Sequence, residues 1–75
     1  MSYNSRTVTL KVSRLEVCDL MLSTTHIVND LRQEIADPLT TETRRNICQS
    51  SIKKWEALHD KLSEQLTAFD AKNGF

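Results

Sequence analysis

The sequence predicts an all-α protein: a long antiparallel helical hairpin with a short extended N-terminal arm, dimerising into a four-helix bundle. Three observations carry that expectation. Cys48, Trp55, Leu62 and Phe69 recur at intervals of seven residues, with Ser51, Ile52, Leu58, His59 and Leu66 in the rows between, so residues 47–69 form an apolar seam along one side of a helix. A second amphipathic stretch, Leu15 to Ala36, precedes it, and Asp37-Pro38 separates the two, because proline lacks the N–H a helix needs and disfavours helical backbone in the residue before it. One Gly and one Pro in 75 residues leave no material for a loop-rich or β-rich fold.

Taken in order, Met1 to Arg6 is polar and reads as a frayed end. Thr7 to Val12 alternates apolar and polar residues with a period of two, which is the pattern of an extended arm. Six residues make no stable strand alone, so this arm, occupying residues 1–12 with the polar end, has to lie on something. Ser13-Arg14-Leu15-Glu16 has the form of a capping box, in which the Ser hydroxyl and the Glu carboxylate each accept from the other's backbone N–H. Helix 1 is expected over 13–36.

Within it, Val17, Leu20, Met21, Thr24, Ile27, Val28, Leu31 and Ile35 share one face. Asp19, Ser23, His26, Asp30 and Glu34 share the polar one. Leu15, Cys18 and Leu22 belong to neither, since they lie roughly 100–160° round from Val17 at about 100° per residue. They form a surplus apolar strip.

The turn is expected over 37–40 and helix 2 over 41–72, with Thr40 or Thr41 as its cap, Glu42 complementing the dipole of the first turn and Asn73-Gly74 as the stop. A short turn makes the helices antiparallel. Mirror counting from Leu39 then puts Ile52 near His26, Trp55 near Thr24, and Leu62 near Glu16 and Val17, with Phe69 past the start of helix 1. Only Val8, Leu10 and Val12 are left to cover Phe69. The open end therefore gathers Leu15, Cys18, Leu22, Val8, Leu10, Val12 and Phe69, more apolar surface than two helices enclose, and these residues are the expected interface with a second copy or another protein.

Composition narrows the function further. The chain is long enough for one small domain, residues 1–75, whose core gives narrow stability unless association adds to it. Ten Lys plus Arg balance ten Asp plus Glu, which argues against non-specific attraction to nucleic acid or an anionic membrane. The longest apolar run, Leu20 to Leu22, falls far short of the roughly 20 residues that cross a bilayer, so the chain reads as soluble and cytoplasmic. Cys18 and Cys48 come out roughly 18 Å apart at about 1.5 Å per residue, beyond the ~7 Å that a disulfide spans, and read as free thiols.

The remaining candidates are weaker than their ordinary readings. His59, placed near Cys18 and Asp19 by the mirror count, lacks the three or four converging ligands of a metal site and reads as a partly buried histidine bonded to a carboxylate or carbonyl. Trp55 reads as a core anchor whose indole N–H meets Thr24. Arg44, Arg45, Lys53 and Lys54 scatter round the whole helix instead of forming one phosphate-tracking stripe. Only a dimer that brought Arg44 and Arg45 of two chains together would revive the alternative, a small dimeric nucleic-acid-binding regulator. No catalytic, cofactor-binding or metal-binding set is expected.

Arg14-Leu15-Glu16-Val17-Cys18-Asp19-Leu20 and Lys54-Trp55-Glu56-Ala57-Leu58-His59-Asp60-Lys61-Leu62 resemble stretches of small uncharacterised helical proteins of bacteriophage and prophage genomes. The resemblance covers about half the chain and implies a phage accessory or host-interaction protein, with no site residues to carry over. The expected function is thus non-enzymatic protein–protein interaction or assembly.

Overall fold

A computed structural model describes residues 6–74 and shows two helices, α1 (Arg14–Ala36) and α2 (Glu42–Asn73), packed against each other, with no strand among the described residues. The polar end expected over the first residues lies, for residues 1–5, outside the described residues. The capping box forms: Glu16 N–H donates to Ser13 Oγ at 3.1 Å and Ser13 N–H donates to Glu16 Oε1 at 3.0 Å. α1 ends where Asp37 turns extended before Pro38, with its N–H shared between the carbonyls of Gln33 and Glu34. Leu39 N–H then donates to Asp37 Oδ1 at 2.9 Å, and Thr40 Oγ1 donates back to the Glu34 carbonyl at 2.6 Å. Thr41 caps α2 by accepting from Arg44 N–H. Gly74 ends it with φ 78°, a left-handed conformation that costs glycine nothing, and its N–H donates to the Asp70 carbonyl.

The contact between the helices follows alternating steps of three and four residues, as in a coiled coil. Val17, Met21, Thr24, Val28, Leu31 and Ile35 supply one row, and Arg45, Cys48, Ile52, Trp55, His59, Leu62 and Leu66 the other; all are buried or half-buried. Among the described residues only Thr24, Val28, Cys48 and Ile52 are buried, and of these only Cys48 completely, so the dry part of the core is small. Thr24 donates to its own helix's Met21 carbonyl at 2.7 Å and does not meet the Trp55 indole as the sequence suggested. A threonine inside a helix has that carbonyl always within reach, whereas an indole must be brought to it.

Two further expectations are corrected. By mirror counting from Leu39, Arg14 would face Glu64 and Arg32 would face Asn46; instead Arg14 pairs with Asp70 at 2.8 Å and Arg32 with Glu56 at 3.1 Å. The turn is lopsided: Glu34 receives both Arg44 and Cys48 from α2, so the first turn of α2 overruns the end of α1. Everything beyond it slides by a helical turn or more. As a result Phe69 falls level with the first turn of α1, and His59 shares a cavity wall with Thr24, Thr25 and Val28 instead of lying by Cys18 and Asp19. The arm is the second correction. Residues 7–12 carry no regular secondary structure, and Val8, 76% exposed, and Leu10, 71% exposed, are not buried against Phe69, which is itself 46% exposed.

Candidate interaction surface

Two helices side by side make a ribbon with two broad faces, and one bonded pair fixes which residues share a face. At about 100° per residue, Thr25, Asn29 and Arg32 lie roughly 60–120° to one side of the buried row of α1, while Leu20 and Ile27 lie roughly 60–80° to the other. On α2, Glu56 and Asp60 lie roughly 70–110° to one side of its buried row, while Ile47, Leu58 and Phe69 lie about as far to the other. Arg32 is bonded to Glu56. The sides bearing Arg32 and Glu56 therefore form one face, and Leu20, Ile27, Ile47, Leu58 and Phe69 share the opposite one.

The two faces differ in chemistry. The first is polar: Thr24, Thr25, Val28, Asn29, Arg32, Glu56, His59 and Asp60 line a shallow cavity of about 230 Å³. His59 Nδ1 lies 3.8 Å from Asp60 Oδ1, a loose approach at the cavity's edge. The second face carries Leu20, Ile47, Leu58 and Phe69, each 42–50% exposed, with Ile27 half-buried, interspersed with Glu16, Ser51 and Gln65. At its closed end sits the Glu34–Arg44 pair, where Arg44 Nε and Nη2 fork onto both carboxylate oxygens at 2.6 and 3.0 Å. That fork, with the buried Cys48 thiol donating at 3.3 Å, holds the Glu34 carboxyl below its ordinary value. Burial, then the neighbouring carboxylate, pushes the Cys48 thiol up.

The residues singled out from sequence divide between these surfaces and the back of α1. Leu15 and Leu22 lie on the side of α1 turned away from α2, 71% and 57% exposed, with Cys18 half-buried at the edge; the surplus strip exists, on the back of one helix. Val8, Leu10 and Val12 stand exposed on the arm. Arg44 and Arg45, the pair a nucleic-acid reading needs, are engaged within the hairpin, Arg44 on Glu34 and Arg45 Nη2 on the Asp37 carbonyl at 3.1 Å. Ile47 and Leu58 were missed as surface residues. Their spacing assigns them to the wide apolar side of α2, and a two-helix contact covers only part of that width.

Among the described residues no three His, Cys, Asp or Glu side chains converge as metal ligands, and no helix is long and apolar enough to cross a membrane. No protein family, curated protein or solved structure matches the chain.

Proposed function

We propose that this chain is a non-enzymatic assembly protein that works as a homodimer, two hairpins completing one four-helix bundle that presents a joint surface to further proteins. One quantity supports the reading above the others. The chain exposes 6404 Å². A compact monomer of 8.6 kDa exposes roughly 4,700 Å² by the scaling of surface with mass. The excess, roughly 1,700 Å² per chain, is about twice the ~800 Å² that each partner loses in a standard interface, and part of it belongs to the extended arm, where Val8 and Leu10 are exposed. The exposed leucines and isoleucine on one ribbon face say what kind of surface is in surplus. The likeness of the Arg14–Leu20 and Lys54–Leu62 stretches to small phage-encoded proteins fits an accessory or host-interaction role. Sedimentation equilibrium tests the dimer: the expected mass is twice 8.6 kDa, and 8.6 kDa at every concentration overturns it.

A further inference from the structure

We infer that the second copy docks on the apolar ribbon face, with α2 lying antiparallel along the partner's α2 and the twofold axis crossing between them at Leu58. The inference rests on the dimer reading and adds to it the face, the contacts and the direction.

Area selects the face. The two helices run side by side for the 23 residues of α1, about 35 Å at about 1.5 Å per residue, and two helix diameters make a face about 20 Å wide. Stacking it on a copy buries roughly 700 Å² per chain, or roughly 1,400 Å² in total, inside the ~1,200–2,000 Å² of stable interfaces. The Leu15–Leu22 strip is one helix wide on the 23 residues of α1. At about 1.5 Å per residue and about 10 Å across, it buries roughly 700 Å² in total, a size typical of lattice contacts.

Spacing selects the direction. Ile47, Leu58 and Phe69 are eleven residues apart, and eleven residues pass three full turns by only about 20°. The three side chains thus stand nearly in line at steps of roughly 16 Å. A twofold axis running across the ribbon at Leu58 lays Leu58 on its own counterpart and Ile47 on the partner's Phe69. On α1 the same axis passes close to Ile27, whose level the Glu56 and His59 contacts fix. Counting equally far from Ile27 brings Leu20 level with the partner's Glu34. Along α2, each of Ile47, Leu58 and Phe69 finds an apolar counterpart. Stacking closed end on closed end instead lays Ile47 near the partner's Glu34, since Arg44 and Cys48 on either side of Ile47 both reach Glu34, and sets each Glu34–Arg44 pair beside its own copy. That arrangement leaves the matched spacing unused.

Three variants analysed by sedimentation, with helicity followed by circular dichroism, test the face. Leu58→Asp and Leu20→Asp should halve the mass while Leu22→Asp leaves it at that of the wild type. A wild-type monomer defeats the dimer reading itself. A wild-type dimer that Leu22→Asp dissociates and Leu58→Asp does not overturns the choice of face alone. Oxidative cross-linking in a Cys18→Ala background keeps the inference testable should an aspartate variant fail to fold. Leu58→Cys should form a covalent dimer under non-reducing conditions and Leu22→Cys should not. For direction, Ile47→Cys combined with Phe69→Cys should cross-link where neither does alone. Failure of the Leu58→Cys cross-link overturns the face, and failure of the paired one overturns the antiparallel direction.

Discussion

Glu34 gathers more of the closed end than any other side chain among the described residues: its carboxylate takes the Arg44 fork and the Cys48 thiol, and its backbone carbonyl takes Thr40 Oγ1 and a share of the Asp37 N–H. All of these except Asp37 and Thr40 come from α2, so one residue sets both the turn and the register. The charge on Glu34 is tied to folding. Its carboxyl titrates below the ordinary 4.5 because Arg44 and Cys48 donate to the ionised form. Asp70 likewise titrates below 3.8 because Arg14 forks onto it. In the unfolded chain both groups take up protons at their ordinary values, so through that window the unfolded state binds more protons and stability falls with falling pH. The contribution is whole above about pH 5 and is lost as pH drops through the lowered folded values. Thermal melts from pH 7 to pH 2 should therefore show a melting temperature that is flat near neutrality and falls in acid. Glu34→Gln, which holds neither charge nor pH dependence at that position, should begin lower and fall less steeply. Equal slopes in wild type and variant would mean that Glu34 is ionised no more readily in the folded chain than in the unfolded one.

At the scale of the helices, local chemistry was legible and register was not. Ser13 and Glu16 announce the start of α1, Asp37-Pro38 its end, and Asn73-Gly74 the end of α2, because each signal acts on backbone groups within four residues of itself. Ser13→Ala should remove the acceptor for Glu16 N–H, lowering stability in urea by about 1 kcal/mol. Faster amide exchange confined to the first turn of α1 would locate the loss. Register failed because mirror counting assumes a symmetric turn, and Thr40, Arg44 and Cys48 all reaching Glu34 make this one asymmetric. The apolar side of α2 failed differently. Ile47, Cys48, Ile52, Trp55, Leu58, Leu62, Leu66 and Phe69 read as one apolar side about 140° wide at about 100° per residue. One partner helix covers the row through Cys48, Ile52, Trp55, Leu62 and Leu66 and leaves Leu58, Phe69 and the adjoining Ile47 on the flank. Periodicity reports how wide an apolar side is. It does not report how many neighbours are needed to cover it. The surplus at Leu15, Cys18 and Leu22 was visible because it broke the pattern, whereas the surplus at Ile47 and Leu58 was hidden by fitting it.

At the scale of the whole molecule, a single hairpin encloses little. Its dry core amounts to Thr24, Val28, Cys48 and Ile52 among the described residues, and the ion pairs beside it are solvent-exposed, where such pairs contribute little. In the proposed dimer the interface supplies much of the stability, which makes folding and association one equilibrium. Mass action gives that equilibrium a signature no self-sufficient monomer has. Each tenfold dilution lowers the stability of a folded dimer, relative to two unfolded chains, by about 1.4 kcal/mol. For two chains of 75 residues melting together, that corresponds to a fall in melting temperature of roughly 3–5 °C per decade. Leu58→Asp should lower the melting temperature and also abolish its dependence on concentration, because a charge at the twofold axis meets its own copy and is stranded there without a partner. Leu22→Asp, on the back of α1, should keep the dependence intact. A wild-type melting temperature that is constant over three decades of concentration would show that one hairpin folds alone, and its exposed apolar face would then need a different occupant.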